Sequence, residues 1–111
     1  MREVVLDTET TGISVREGHR IVEIGCIELE NLIPTKNRFH CYLNPERKVS
    51  EKALDVHGYT DEFLAKQIKF SEIGDKFLEF IFCWNQVFKL YTTNFNKSVS
   101  FFYRYTCCLC I

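Results

Sequence analysis

No run of about 18 consecutive apolar residues occurs in this chain, which argues against a membrane-spanning helix. The opening Met1-Arg2-Glu3-Val4-Val5-Leu6-Asp7 lacks the length and apolar core of a secretory signal, so a cytoplasmic location is expected. An excess of one charge sign is also missing. The formal net charge is −1, which excludes proteins that hold nucleic acid through a general basic field. Any nucleic-acid contact would have to come from a local site, through a bound cation. With 111 residues there is room for one small domain, and 46% hydrophobic with 26% charged residues is the composition of a folded soluble protein.

Six cysteines are present, but not in the spacing of a disulfide or zinc framework. Cys26 and Cys41 stand alone in apolar stretches and read as small buried hydrophobes. Cys83, Cys107, Cys108 and Cys110 fall near the end, where Cys107-Cys108-Leu109-Cys110 has no second paired cluster and no nearby histidine.

Charge divides the chain. Residues 1–81 hold all fifteen acids, all three histidines and eleven of the fourteen basic residues, a net charge of −4. Residues 82–111 contain no Asp, Glu or His, only Lys89, Lys97 and Arg104, and nine of the thirty are aromatic. Natural surfaces interleave both charge signs, so this second stretch does not look like the rest of one fold. Its apolar residues keep neither a two-residue nor a 3.6-residue period for long, and Phe101-Phe102-Tyr103 and Cys107–Ile111 would be aggregation-prone if exposed.

The first stretch is legible as elements. Glu3–Asp7 is a short apolar run ending in an acid and predicts a buried strand, with Thr10-Thr11-Gly12 as a turn. Arg20–Leu29 alternates as a second strand, Asn31–Asn37 with Pro34 reads as a hairpin-like connection, and Phe39–Leu43 as a third strand stopped by Asn44-Pro45. Helices follow: Ser50 capping Glu51–Leu54, Thr60 capping Asp61–Lys66, and Ser71 capping a longer helix. In that last helix Ile73, Phe77, Phe80 and Ile81 share one face and read as core packing. The expectation is an α/β domain built from a three-stranded antiparallel meander plus helices, with an unpaired strand edge left open.

The chemistry-bearing segment is Val4-Val5-Leu6-Asp7-Thr8-Glu9-Thr10-Thr11-Gly12. On a strand, Asp7 and Glu9 point the same way and set two carboxylates side by side. Two such charges repel unless a cation lies between them, and Mg2+ or Mn2+ favours hard oxygen ligands of this kind. Most D-x-E pairs are solvated surface acids, but an apolar strand is a costly place for two acids without a partner.

Leu6-Asp7-Thr8-Glu9-Thr10-Thr11-Gly12 resembles the first motif of the DnaQ-like (DEDDh) 3′-5′ exonucleases, and within them the proofreading epsilon subunits of bacterial DNA polymerase III. Gly18-His19-Arg20-Ile21-Val22-Glu23-Ile24-Gly25 is similar to that family's second strand and Phe39-His40-Cys41-Tyr42-Leu43-Asn44-Pro45 to its third. Val56-His57-Gly58, then Thr60-Asp61-Glu62-Phe63-Leu64, resembles its V-H-G-I turn and helix, with Tyr59 where the pattern has Ile. The resemblance spans residues 3–81. It implies a ribonuclease-H-like exonuclease fold, here incomplete, and two-metal hydrolysis of a terminal phosphodiester with Mg2+ or Mn2+. It further implies Asp7 and Glu9 as metal-binding and catalytic residues, and Glu9, Thr10, Thr11, Ile13 and His57 as substrate contacts. In that scheme Asp7 bridges both metals, Glu9 binds the first, the backbone near Thr10 and Thr11 meets the terminal nucleotide, and Ile13 wedges against its base. The implied partners are the 3′ end of single-stranded DNA and, in the full-length family, the polymerase III catalytic subunit. His40, flanked by Phe39 and Cys41, reads as a surface or edge residue, and His19 as a solvent-exposed loop residue.

The family's remaining parts have no counterpart here. Its second motif resembles H-N-A-x-F-D and its third H-x-x-x-x-D, yet no Asp or His follows Asp75. Thr93-Asn94-Phe95-Asn96 offers only amides, far weaker ligands than carboxylates, and no general-base histidine remains downstream. The polypeptide by itself is therefore expected to be an inactive 3′-5′ DNA exonuclease segment, the alternative being a non-catalytic nucleotide- or metal-binding remnant. The similarity is expected to break off near residue 81 through truncation, or through a frame change that would produce the tail's unusual composition. Sequencing the downstream nucleotides tests this: another frame should encode an H-N-A-x-F-D-like segment, and its absence overturns the frame-change reading.

Overall fold

The structure, a computed structural model, describes residues 1–82 in full and, beyond them, the backbone of Gln86–Phe95 and Ser98–Cys107. The elements in chain order are β1 (Arg2–Thr10), a 3-10 turn (Val15–Glu17), β2 (Ile21–Glu30), β3 (Ile33–Asn44), α1 (Glu51–His57) and α2 (Asp61–Ala65). Then come β4 (Ile68–Lys69), α3 (Phe70–Ile81), β5 (Gln86–Phe95) and β6 (Ser98–Cys107). The strands form one sheet in the order β4-β3-β2-β1-β6-β5, antiparallel except for β3 beside β4.

The expected meander is present, with longer strands. β1 runs three residues past Asp7, because its ladder with β2 continues through Glu9 opposite Glu23 and Thr10 opposite Ile21. The apolar run marks where the strand is buried, whereas backbone pairing decides where it ends. The connection read as Asn31–Asn37 shrinks to Asn31 and Leu32, whose φ values of 51° and 68° match the left-handed pair that a two-residue hairpin turn needs. β3 therefore begins at Ile33, with Pro34 opposite Leu29 beside a bulge, a position where a missing N–H is tolerated. It ends at Asn44, before Pro45, as the sequence indicates.

Helix starts follow local hydrogen bonding. The Ala53 N–H donates to Ser50 Oγ (3.2 Å) and the Phe63 N–H to Thr60 Oγ1 (3.2 Å), so both predicted caps hold. Gly58 ends α1 at φ 75°, its N–H donating to the Leu54 carbonyl. The third cap differs. Ser71 lies inside the first turn of α3, and the Lys69 N–H at the helix start donates to the Glu72 carboxylate (2.9 Å). β4 was not anticipated: two residues pair in parallel with Leu43 and Asn44.

Alternation gives the sheet two faces. Val4, Leu6, Ile24, Cys26 and Leu43 are buried on one, where α3 lays Ile73, Phe77, Phe80 and Ile81 over them at the predicted helical spacing. Phe39 packs against Phe77 and Phe80 with ring centroids 5.6 and 5.8 Å apart. Burying each such side chain fully contributes about 1.5–3 kcal/mol. Cys26 lies in this core, and burial pushes its thiol up to about 12. The same face holds a polar link. Arg2 Nε donates to the Glu28 carboxylate and Arg2 Nη2 to the Phe80 carbonyl at the end of α3 (2.7 Å), while Thr35 and Asn37 also donate to Glu28.

The open edge expected on the first strand or on the far side of the third is covered at both: β6 pairs antiparallel with Val4–Asp7, β5 pairs with β6, and β4 pairs with Leu43 and Asn44 of β3. The tail's irregular hydrophobic pattern thus does not prevent a backbone hairpin. Expectations for the side chains of residues 83–111, among them the four late cysteines, Phe101–Tyr103 and the Thr93–Asn96 amides, lie outside the described residues. Among the described residues no helix is long and apolar enough to cross a membrane.

Removing one partner of the Arg2–Glu28 pair leaves a largely buried charge unmatched, so Glu28→Ala should cost about 3 kcal/mol. Urea unfolding checks this, and a loss below about 0.5 kcal/mol, the usual scale of an exposed substitution, would refute the assigned role.

Candidate active site

Asp7 and Glu9 project from the C-terminal half of β1 on the face opposite the α3-covered core, Asp7 exposed and Glu9 half-buried. The register decides what surrounds them. Across β1–β2–β3, Asp7 stands opposite Gly25 and Gly25 opposite His40, while Glu9 stands opposite Glu23 and Glu23 opposite Tyr42. Directly opposed like charges normally destabilise a sheet. Here they raise the pKa of Glu9: burial is the largest cause, followed by the charges of Asp7 and Glu23.

Glu23 is held at both oxygens. His40 Nε2 lies 2.7 Å from Oε1, and the Tyr59 hydroxyl donates to Oε2 at 2.6 Å. Burial, then the hydrogen bond and charge of Glu23, push the Tyr59 phenol upward, so it stays a donor. Its ring is stacked on His57 (4.8 Å, 19°) and meets Tyr42 edge-on (5.2 Å).

His57 uses both ring nitrogens. The Tyr59 backbone N–H donates to Nδ1 (3.0 Å), so the proton sits on Nε2, which donates to the Thr10 carbonyl (3.1 Å). His57 therefore bridges the end of α1 and the strand that carries the carboxylates. Thr10 Oγ1 donates to the Gly12 carbonyl (2.8 Å). Thr11, also expected at the substrate, is fully buried. Its N–H donates to Arg20, its carbonyl accepts from Ser50, and its hydroxyl accepts from the Arg20 N–H and lies 3.0 Å from His19 Nδ1.

His19 corrects an expectation. Its side chain is only 12% exposed, because the ring is clamped between Thr11 and Glu17 and packed on Gly12. A Cβ on Gly12 would lie 2.3 Å from the His19 ring, so the glycine is required for this close approach. His40 is a surface residue, as expected. Beyond the clamp, Ile13 (85% exposed) and Val15 (86%) present apolar surface to solvent.

Asp7 and Glu9 are a hard-oxygen donor pair. Among the described residues no group of three or more His, Cys, Asp or Glu could share one cation. Two carboxylates are nonetheless what Mg2+ commonly takes from a protein, the rest of its shell coming from water and phosphate. The repulsion around Glu9 is what a divalent ion would relieve, so the pair fits such an ion. Glu23 escaped the sequence reading. Its place between Val22 and Ile24 marks only an outward-facing strand position, and its importance depends on a register that one strand cannot reveal.

A fold with paired strand carboxylates on one sheet face suits a metal-assisted nuclease, and the comparisons agree. The RNase_T family model, described as "Exonuclease", matches residues 4–93, and the chain belongs to this exonuclease family. It is similar to DNA polymerase III subunit epsilon of Rickettsia conorii (strain ATCC VR-613 / Malish 7), 53% identical over 81 residues, covering 73% of this chain and 35% of that protein. To the subunit of the same name from Escherichia coli (strain K12) it is 48% identical over 84 residues, 72% of this chain and 35% of that one. The chain therefore spans about a third of the length of the curated relatives it matches. A "crystal structure of full-length 3'-exonuclease" shares the fold, with TM-score 0.59 and 20% identity over 70% of this chain and 28% of that one.

Asp7→Asn removes a like charge beside Glu9 and so favours its ionised form. The pKa of Glu9 should fall toward the ordinary glutamate value in a carboxyl NMR titration, and an unchanged value would show the two side chains to be independent.

Proposed function

We propose that this chain carries the first-motif portion of a divalent-metal-dependent 3′-5′ DNA exonuclease that serves replication proofreading. The observation that carries the reading is the placement of Asp7 and Glu9 on one exposed sheet face, with a third carboxylate opposite Glu9. Asp7 and Glu9 would hold Mg2+ or Mn2+ through their carboxylates. When bound, the ions supply an activated water and charge stabilisation at the attacking and leaving oxygens.

The chain's own residues bind and orient. Ile13, exposed just beyond the carboxylates, offers an apolar surface for the terminal base. Glu9, the backbone near Thr10 and Thr11, and His57 would complete the contacts to the terminal nucleotide, and the His57 bond to the Thr10 carbonyl holds that backbone in place. The substrate is the 3′ end of single-stranded DNA. The partner is the catalytic subunit of a replicative polymerase, since the relatives are named as DNA polymerase III subunits, and the location is cytoplasmic.

Hydrolysis also needs a proton acceptor. Both ring nitrogens of His19 and of His57 are engaged, His40 is bonded to Glu23, and no histidine follows residue 57. This favours a second reading of the 111-residue polypeptide on its own: a cation- and nucleotide-binding segment without turnover.

Purified chain incubated with 3′-labelled oligonucleotide and Mn2+ should release no label, while Mn2+ should raise its thermal unfolding transition. A tenfold excess over the dissociation constant adds about 1.4 kcal/mol of stability. Asp7→Ala should lose that rise. Label release that Asp7→Ala abolishes would overturn the inactivity, and the absence of any Mn2+ effect would overturn the metal site.

A further inference from the structure

Among the described residues, Glu23 is a charged group beside the carboxylate pair with no part yet in holding the cation. It lies directly opposite Glu9 in the β1–β2 ladder, so the two side chains leave the sheet on the same face. Such cross-strand neighbours have Cβ atoms about 4.5–5.5 Å apart, within reach of one another and of a cation held between Asp7 and Glu9. Yet both oxygens of Glu23 are already taken by other partners. Oε1 is bonded to His40 at 2.7 Å and Oε2 to the Tyr59 hydroxyl at 2.6 Å, and its side chain is only 19% exposed.

Both donors are themselves fixed. The Tyr59 ring is stacked on His57 and set edge-on against Tyr42, and Tyr42 in turn meets His40 edge-on (4.9 Å). His57 closes the circuit by donating to the carbonyl of Thr10, the residue after Glu9. An aromatic brace therefore connects the backbone at Glu9 to the carboxylate opposite it. The contact depends on the phenol hydroxyl, since a side chain such as isoleucine at this position would have no hydrogen to donate.

We propose that Glu23 is a positioning residue of the cation site, a charge kept close to the metal but held off it by Tyr59 and His40. Its charge strengthens the field that attracts the cation. Its two hydrogen bonds keep it from becoming a third ligand, leaving those coordination positions to water and phosphate. The inference rests on Asp7 and Glu9 being the cation ligands.

Two substitutions then act in opposite directions. Glu23→Gln removes the charge at nearly constant shape and should weaken Mn2+ binding roughly fivefold, the scale of one unit charge several ångströms from a dication in a partly solvated site. Tyr59→Phe keeps the ring and its packing but frees Oε2 to swing onto the cation, so it should tighten Mn2+ binding at least roughly twofold. That gain should vanish in the double variant, as it must if the effect passes through Glu23.

Isothermal titration of the 111-residue chain with Mn2+, alongside metal-free thermal unfolding of each variant, reads all of this. A merely structural role would lower unfolding temperature and affinity together in both variants, and that outcome overturns the proposal. So does a Glu23→Gln affinity equal to that of the unaltered chain when Asp7→Ala has lost binding, which leaves the ligand assignment standing. No Mn2+ binding by the unaltered chain would remove both.

Discussion

The register of β1 against β2 is the constraint on which the rest depends. With Leu6 opposite Cys26 and Thr8 opposite Ile24, Val4, Leu6 and Thr8 are buried, Val4 and Leu6 in the core that α3 covers, and the odd-numbered Asp7 and Glu9 face away. A slip of one residue would exchange the faces, sending two carboxylates into the apolar core. Burial of Val4, Leu6, Ile24 and Cys26 resists that slip, and the Arg2–Glu28 pair fixes the same register at the far end while tying both strands to the end of α3. The hydrophobic packing of one face therefore sets the electrostatics of the other.

On that other face the structure concentrates like charge instead of dispersing it. Asp7, Glu9 and Glu23 share a small area of sheet, and both oxygens of Glu23 are hydrogen-bonded, to His40 and to Tyr59. Such an arrangement opposes folding in the absence of a counter-charge and favours a bound dication in its presence. Around it, buried polar groups are satisfied one against another. Thr11 joins β1 to β2 and to the start of α1, His19 fills the space that Gly12 leaves, and His57 carries the end of α1 to Thr10. These contacts hold the loop from which Ile13 emerges, so positioning on this surface comes from a rigid sheet and a clamped turn.

The remainder of the sheet extends past the legible part of the sequence. β6 lies along Val4–Asp7, so the strand that carries the carboxylates is an interior strand rather than an edge. The family match likewise continues to residue 93, although the acidic and histidine residues of the later motifs are not found in these 111 residues. Strand formation asks only for backbone pairing and tolerates a composition poor in charge, whereas the chemistry asks for particular side chains. The two therefore part company along this chain.

Local signals in the sequence determined a good deal: the meander, the Ser50 and Thr60 caps, the α3 stripe of Ile73, Phe77, Phe80 and Ile81, and the carboxylate pair Asp7 and Glu9. Each depends on neighbours within a few residues, through side-chain period or a capping hydroxyl. Tertiary structure alone decided that the 31–37 connection is a two-residue turn, that Glu23 stands across from Glu9, and that His19 and His57 are engaged at both nitrogens. It also decided that Thr11 is buried. Those outcomes rest on which strand residues face one another and which loop folds over which, and pairing between segments many residues apart leaves no period in the chain that makes them.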